Sequence, residues 1–228
     1  MEHNDIYISR FSAWAPGIEN ADEWEEWAQG KREMSCVSES PKINFTDPMF
    51  RRRLSQVSKM TIQVVHDILP VKEETKMLFL SFRGELSGQF KTNKTQFENG
   101  YSLPAAFSYS VFNAPAALAS MAFGLKGGYT AVYPINNSIK AGLLAAAAML
   151  KTGSEDELVF VYADENVKEE YSSLLREPLP PFAFSLLLSR KPCESCLLPE
   201  QLQDYLTEKK EICPKDFLRL LYLNKNNT

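Results

Sequence analysis

The sequence predicts an α/β fold, and three of its features lead there. Met77-Leu78-Phe79-Leu80 and Leu158-Val159-Phe160-Val161-Tyr162 are short continuous apolar runs of the kind found in strands covered on both faces. Leu54, Val57, Met60, Ile62, Val64, Val65, Ile68 and Leu69 mostly follow the spacing of an amphipathic helix. Strand and helix signals also alternate, which implies parallel pairing through crossover helices. The expectation is one layered domain over residues 1–228, of βαβαβ type, with helices packed on a mainly parallel or mixed sheet.

Each element has its own signal. Ile6 to Phe11 reads as a first strand, and Ala15-Pro16-Gly17 as the turn that ends it. Asp22 to Trp27 forms a short helix, with Ala21, Trp24, Trp27 and Ala28 as its apolar face. Residues 35–48 hold serines and prolines without periodicity and read as loop. A long helix then runs from Arg51 to Leu69, with Arg51-Arg52-Arg53 as its solvated first turn, until Pro70 stops it. Residues 85–100 are polar and mix helix with loop. From Leu103 to Leu125 alanine, serine and phenylalanine dominate, Pro104 and Pro115 stand near helix starts, and the small residues permit close helix packing.

Tyr129 to Tyr133 is the next strand and Asn137 to Leu150 an alanine-rich helix ending near Gly153. Pro178, Pro180 and Pro181 mark a turn before a strand from Phe182 to Leu188. Pro199 to Leu206 and Pro214 to Leu223 are terminal helices, part of a helical extension of the same domain over residues 189–228.

Composition narrows the function classes. The chain has 228 residues, a net charge of −4, 44% apolar and 24% charged residues, as an ordinary soluble protein does. That balance argues against nucleic acid as a partner. No apolar run reaches the length of a membrane span, and MEHNDIYISR lacks the features of a signal peptide, so a cytoplasmic location is expected. Four cysteines do not make a disulfide framework. Cys193-Glu194-Ser195-Cys196 is a lone CxxC; Cys213 could add one ligand, but no companion motif follows, so ordinary thiols rather than a metal or redox centre are expected. Neither a metal nor a cofactor is expected.

Only His3 and His66 could serve as histidine bases, and neither has the spacing of a dyad. Gly124, Gly127 and Gly128 match no nucleotide-binding fingerprint and suit a sharp turn with positive φ. Asp164 and Glu165 lie just past a buried strand, where they suit either a solvated turn with a helix cap or an acid–base role.

Phe112-Asn113-Ala114, Gly124-Leu125-Lys126-Gly127-Gly128, the strand Tyr129 to Tyr133 and the turn Asn136-Asn137-Ser138 follow one another in that order. The succession resembles the N-terminal half of β-ketoacyl synthases, which have the thiolase fold. The opening strand from Ile6 to Gly17, then Trp24, Trp27, Gly30 and Lys31, agrees with that resemblance, as does the basic-led helix from Arg51. Phe11-Ser12-Ala13-Trp14-Ala15-Pro16-Gly17, Ser110-Val111-Phe112-Asn113-Ala114 and Asp164-Glu165 resemble, more narrowly, short ketosynthase-like proteins of aryl-polyene and related pigment or lipid pathways.

The resemblance implies a thiolase-like half and places Asn136, within one residue, where the family carries its acylated cysteine. An amide nitrogen is no nucleophile, because its lone pair is delocalised into the carbonyl. The family's two catalytic histidines belong to a C-terminal half that this chain does not include, and no histidine follows His66. The implied role is a non-catalytic accessory in fatty-acid or polyketide chain assembly, a pseudoenzyme that binds an acyl carrier protein or a catalytic ketosynthase, or dimerises through the 129–133 strand. Phe107, Phe112, Asn113 and Phe123 are candidate acyl-chain contacts, with plain core packing the competing account of the phenylalanines. The alternative is an active acyltransferase or thioesterase-like hydrolase, using Ser138 or a cysteine outside the turn, with Asp164 or Glu165 as base.

Overall fold

A computed structural model describes residues 5–101, 103–134, 136, 138–153, 155–167, 171, 180–195, 197 and 199–224. Among them run β1 (Tyr7–Trp14), α1 (Ala21–Ala28), α2 (Pro48–Arg51), α3 (Gln56–His66), β2 (Lys76–Leu80), α4 (Leu86–Asn99), α5 (Pro104–Tyr109) and α6 (Ala114–Phe123). Then come β3 (Tyr129–Val132), α7 (Lys140–Thr152), β4 (Glu157–Asp164), β5 (Phe182–Ser189), α8 (Pro199–Glu208) and α9 (Pro214–Asn224). The five strands make one mixed sheet in the order β1-β5-β4-β2-β3.

β3, β2 and β4 pair in parallel, and β5 alone is reversed, running antiparallel to both of its neighbours, β4 and β1. Alternation of strands and helices therefore describes the middle of the chain and not its edge, since antiparallel neighbours need no crossover helix. In the paired register Leu80 sits opposite Tyr162, so β2 and β4 end side by side.

The pleat divides the core into two layers. Met77, Phe79, Val159, Val161, Ala183 and Leu187 point to one face, where α3 and α6 cover them. Leu78, Leu80, Leu158, Phe160, Phe184 and Leu186 point to the other, beneath α7, α8 and α9, with the tryptophans of α1 in the same cluster. Tyr222 of α9 stacks on Trp24 of α1 at 5.2 Å between ring centroids, which draws the C-terminal helices into this second layer. Gly142 lets α7 approach the sheet: a Cβ there would come within 2.4 Å of Leu80 Cδ1.

The expected long helix from Arg51 is two pieces. Asp47 caps α2, and the Ser55 hydroxyl accepts from Ser58 N to begin α3 afresh. Arg52 and Arg53 consequently lie in the link between the two helices. Residues 85–100, expected to mix helix and loop, are largely one helix, α4, in which Thr92 is the only buried residue. Pro180 and Pro181 lead into β5, whereas Pro178 lies outside the described residues.

The glycines ahead of β3 do different work. Lys126 N and Gly127 N both donate to Glu73 O, and a Cβ on Gly127 would fall 2.1 Å from Glu74 O. Gly128 has open space around it but a φ of +82°. Gly127→Ala, which must displace backbone, is expected to cost about 3 kcal/mol, and Gly128→Ala about 1 kcal/mol. Urea unfolding of the two variants checks both the order and the size of these losses.

Candidate functional site

β3, the turn after it and α7 form the strand–turn–helix expected from the sequence. Asn136 lies at its exposed apex with φ +56°, a left-handed backbone that asparagine tolerates better than most residues. Asn137 falls outside the described residues. Ser138 is buried, and its Oγ accepts hydrogen bonds from Ile212 N at 2.9 Å and Lys140 N at 3.3 Å. Beside it Ile139 N donates to Ile212 O. Ser138 thus ties the start of α7 to the segment before α9.

No base accompanies that hydroxyl among the described residues. His66 ends α3, on the opposite face of the sheet from α7. Its ring stacks on Phe45 at 3.7 Å, and its Nδ1 lies 2.9 Å from Asp67 Oδ1. Partial desolvation pushes the Cys193 thiol pKa up, away from a reactive thiolate. Cys36, Cys193 and Cys213 are free thiols, Cys196 lies outside the described residues, and no cluster of described side chains could hold a metal ion.

Asp164 and Glu165 are both buried rather than solvated. Asp164 Oδ1 accepts from Ser81 Oγ at 2.6 Å, Phe82 N at 3.0 Å and Arg83 N at 2.9 Å, while Oδ2 accepts from Tyr162 OH at 2.7 Å. Burial raises its pKa, against the lowering effect of Arg83 and these donors. With donors on both of its oxygens, Asp164 fastens the loop after β2 to the end of β4. Glu165 accepts from Ser87 N, and its carbonyl receives the Arg83 guanidinium at 2.6 Å.

The phenylalanines do not converge on one groove. Phe112 covers Gly84, where an added Cβ would meet its ring at 2.5 Å, and packs edge-on against Phe79. Phe123 lies at the far end of α6, near Phe45 and His66. Phe107 is exposed on α5. Asn113 Nδ2 donates to Tyr129 OH at 3.1 Å and so holds the start of α6 to β3.

Glu85 was not singled out by the sequence. It is fully buried at the start of α4, and its Oε1 accepts from Ser55 Oγ at 2.7 Å and Ser58 Oγ at 2.6 Å. Desolvation raises its pKa from 4.5 to about 7, with the two serines opposing and Glu165 reinforcing the shift. The signal that could have found it is its place just beyond a buried strand, the same signal that marked Asp164 and Glu165.

Comparison with known proteins agrees with this architecture. The family model for the β-ketoacyl synthase N-terminal domain matches residues 24–218, and the chain belongs to that family. No curated protein sequence matches it. A structure of the ketosynthase ApeO in complex with its chain length factor ApeC from Xenorhabdus doucetiae is similar, with 20% identity, a TM-score of 0.73, and coverage of 94% of this chain and 92% of that one. The ishigamide ketosynthase/chain length factor is similar at 14% identity and TM-score 0.63, over 81% of this chain and 62% of the other. A type II polyketide acyl-carrier protein in complex with its ketosynthase gives 12% identity and TM-score 0.65, over 90% and 65%. The chain thus spans under two-thirds of the length of the last two. These likenesses establish a shared thiolase-like fold. Among the described residues no helix is long and apolar enough to cross a membrane.

The raised pKa of Glu85 has a consequence for stability. A carboxyl that is harder to ionise when folded supports the fold fully below its unfolded pKa and loses that support as pH rises through the folded value. Between pH 4.5 and about 7 the protein is expected to lose roughly 3 kcal/mol relative to Glu85→Gln. Urea titrations of both proteins across that range measure the difference; parallel curves would contradict the assignment.

Proposed function

We propose that this member of the β-ketoacyl synthase N-terminal-domain family is a non-catalytic accessory subunit in fatty-acid or polyketide chain assembly, and that it pairs with a catalytic ketosynthase. The observation that carries the reading is Asn136 at the left-handed apex of the strand–turn–helix. The platform is kept, and the residue on it cannot form a thioester. Ser138, two positions on, spends its acceptor capacity on backbone N–H groups and has the sheet between it and His66. The carboxylate of Asp164 is likewise engaged by four donors.

Pairing is supported by the free side of β3. That strand ends the sheet, and Tyr129, Thr130 and Tyr133 are exposed along or just beyond it. Among the described residues no strand pairs with the outer side of β3, and such an edge with aromatic side chains offers a template for another strand. Similar structures include ketosynthases solved with a chain length factor and with an acyl-carrier protein, which favours partners of these kinds over a second copy. An aryl-polyene type of pathway is our reading of the motifs Phe11 to Gly17, Ser110 to Ala114 and Asp164-Glu165.

Intact-protein mass after incubation with acyl-CoA and acyl-carrier-protein thioesters tests the loss of chemistry. No adduct is expected, with or without Ser138→Ala; an adduct abolished by that substitution would overturn the reading. Thr130→Lys combined with Tyr133→Lys places charge on the edge and is expected to weaken pairing with a copurifying ketosynthase at least about tenfold. Light scattering of the mixed proteins reports that loss.

A further inference from the structure

A groove of about 740 Å³ opens between the α2–α3 link, the first half of α4 and α5. Its rim carries the exposed cations Arg52, Arg53 and Lys91, and Ser55, Glu85 and Gly88 also line it. Glu85 has no exposed surface, yet its two carboxyl oxygens are not equivalent. Oε1 receives the hydroxyls of Ser55 and Ser58, whereas Oε2 has no hydrogen-bond partner among the described residues. A carboxyl with two O–H donors on one oxygen carries its proton on the other, so the acid form presents an O–H without an acceptor. Such an orphan costs about 1–3 kcal/mol, and a ligand acceptor would recover it.

Gly88 bears on how a ligand reaches that proton. It lies inside α4 with φ outside the left-handed region, so the backbone does not require glycine there. Glycine in a helix interior costs about 0.5–1 kcal/mol relative to alanine. A Cβ at this position would sit 3.4 Å from Glu85 Oε2. The same Cβ would also lie 3.4 Å from Cα and Cβ of Ser110, so Gly88 lets the link between α5 and α6 close on α4 directly beside Glu85 Oε2.

We propose that the groove binds an oxo acid, whose carboxylate is held by Arg52, Arg53 and Lys91 and whose carbonyl oxygen accepts a hydrogen bond from the protonated Glu85 Oε2 beside Gly88. Opposite charge selects the carboxylate end, and a neutral acid selects the carbonyl end, because a carbonyl has no proton to compete. The other ionisable groups facing Glu85 are Glu165 beyond β4, which reinforces the acid form, and Tyr109 of α5. The site is independent of pairing at β3.

Isothermal titration calorimetry of the whole chain with 4-, 5-, 6- and 7-oxooctanoate, and octanoate as reference, tests the proposal. At pH 6 at least one oxo acid is expected to bind about tenfold more tightly than octanoate, in line with one added hydrogen bond. Glu85 ionises around pH 7, so the oxo acid's affinity is expected to fall about tenfold by pH 8. Glu85→Gln keeps a donor in place and should bind the oxo acid without that pH dependence. Gly88→Ala leaves every charge in place and should weaken the oxo acid but not octanoate. Equal affinities for octanoate and all four oxo acids, no binding of any of them, or a pH dependence unchanged in Glu85→Gln would overturn the assignment. These results are independent of thioester adducts and of ketosynthase pairing, so the two readings fail separately.

Discussion

The parallel register of β2 and β4 is the constraint on which the rest of this structure depends. Because Leu80 and Tyr162 are partners, the segments leaving the two strands emerge together at one end of the sheet. The backbone N–H groups of Phe82 and Arg83 would be left without strand partners there, and Asp164 supplies their acceptor. That one carboxyl, engaged also by Ser81 and Tyr162, sets the path of the loop from which α4 departs. Glu85 is then delivered onto the first turn of α3, and Gly84 against the ring of Phe112. Removing the register would scatter all of these contacts at once.

A second set of contacts fixes β3 and α7 against the sheet. Gly127 fits under the Glu73–Glu74 backbone, β3 pairs along β2, and α7 closes on Leu80 through Gly142. The turn between them holds a residue in the left-handed region, a conformation that must be maintained by the packing around it. The residue at that apex is an asparagine, whose amide nitrogen is not a nucleophile. The scaffold is held by buried contacts, whereas reactivity depends on individual side chains, so the fold by itself does not fix the chemistry.

Much of the fold was legible. Continuous apolar runs located β2 and β4, the prolines marked the starts of α5 and α6, and Gly153 marked the end of α7. The errors share a cause. Arg51 to Leu69 looked like one helix because its apolar spacing continues across Ser55, whose hydroxyl caps a new start. Phe107, Phe112 and Phe123 looked like one surface because periodicity cannot show that α6 separates their surroundings. Asp164 and Glu165 were placed at a strand end correctly, but their burial was invisible, as was Glu85 altogether.

The sequence by itself determined the α/β class, the position of the strand–turn–helix and the absence of a thiol at its apex, since all three are local properties of residue type and spacing. Only the tertiary structure decided that β5 runs against β4, that Ser138 and His66 lie on opposite faces of the sheet, and that Glu85 is a buried acid. These depend on contacts between distant parts of the chain, such as the Ser81–Asp164 hydrogen bond across 83 residues. Desolvation, the largest influence on the Glu85 pKa, is a property of the surroundings that assemble around a group rather than of the group itself.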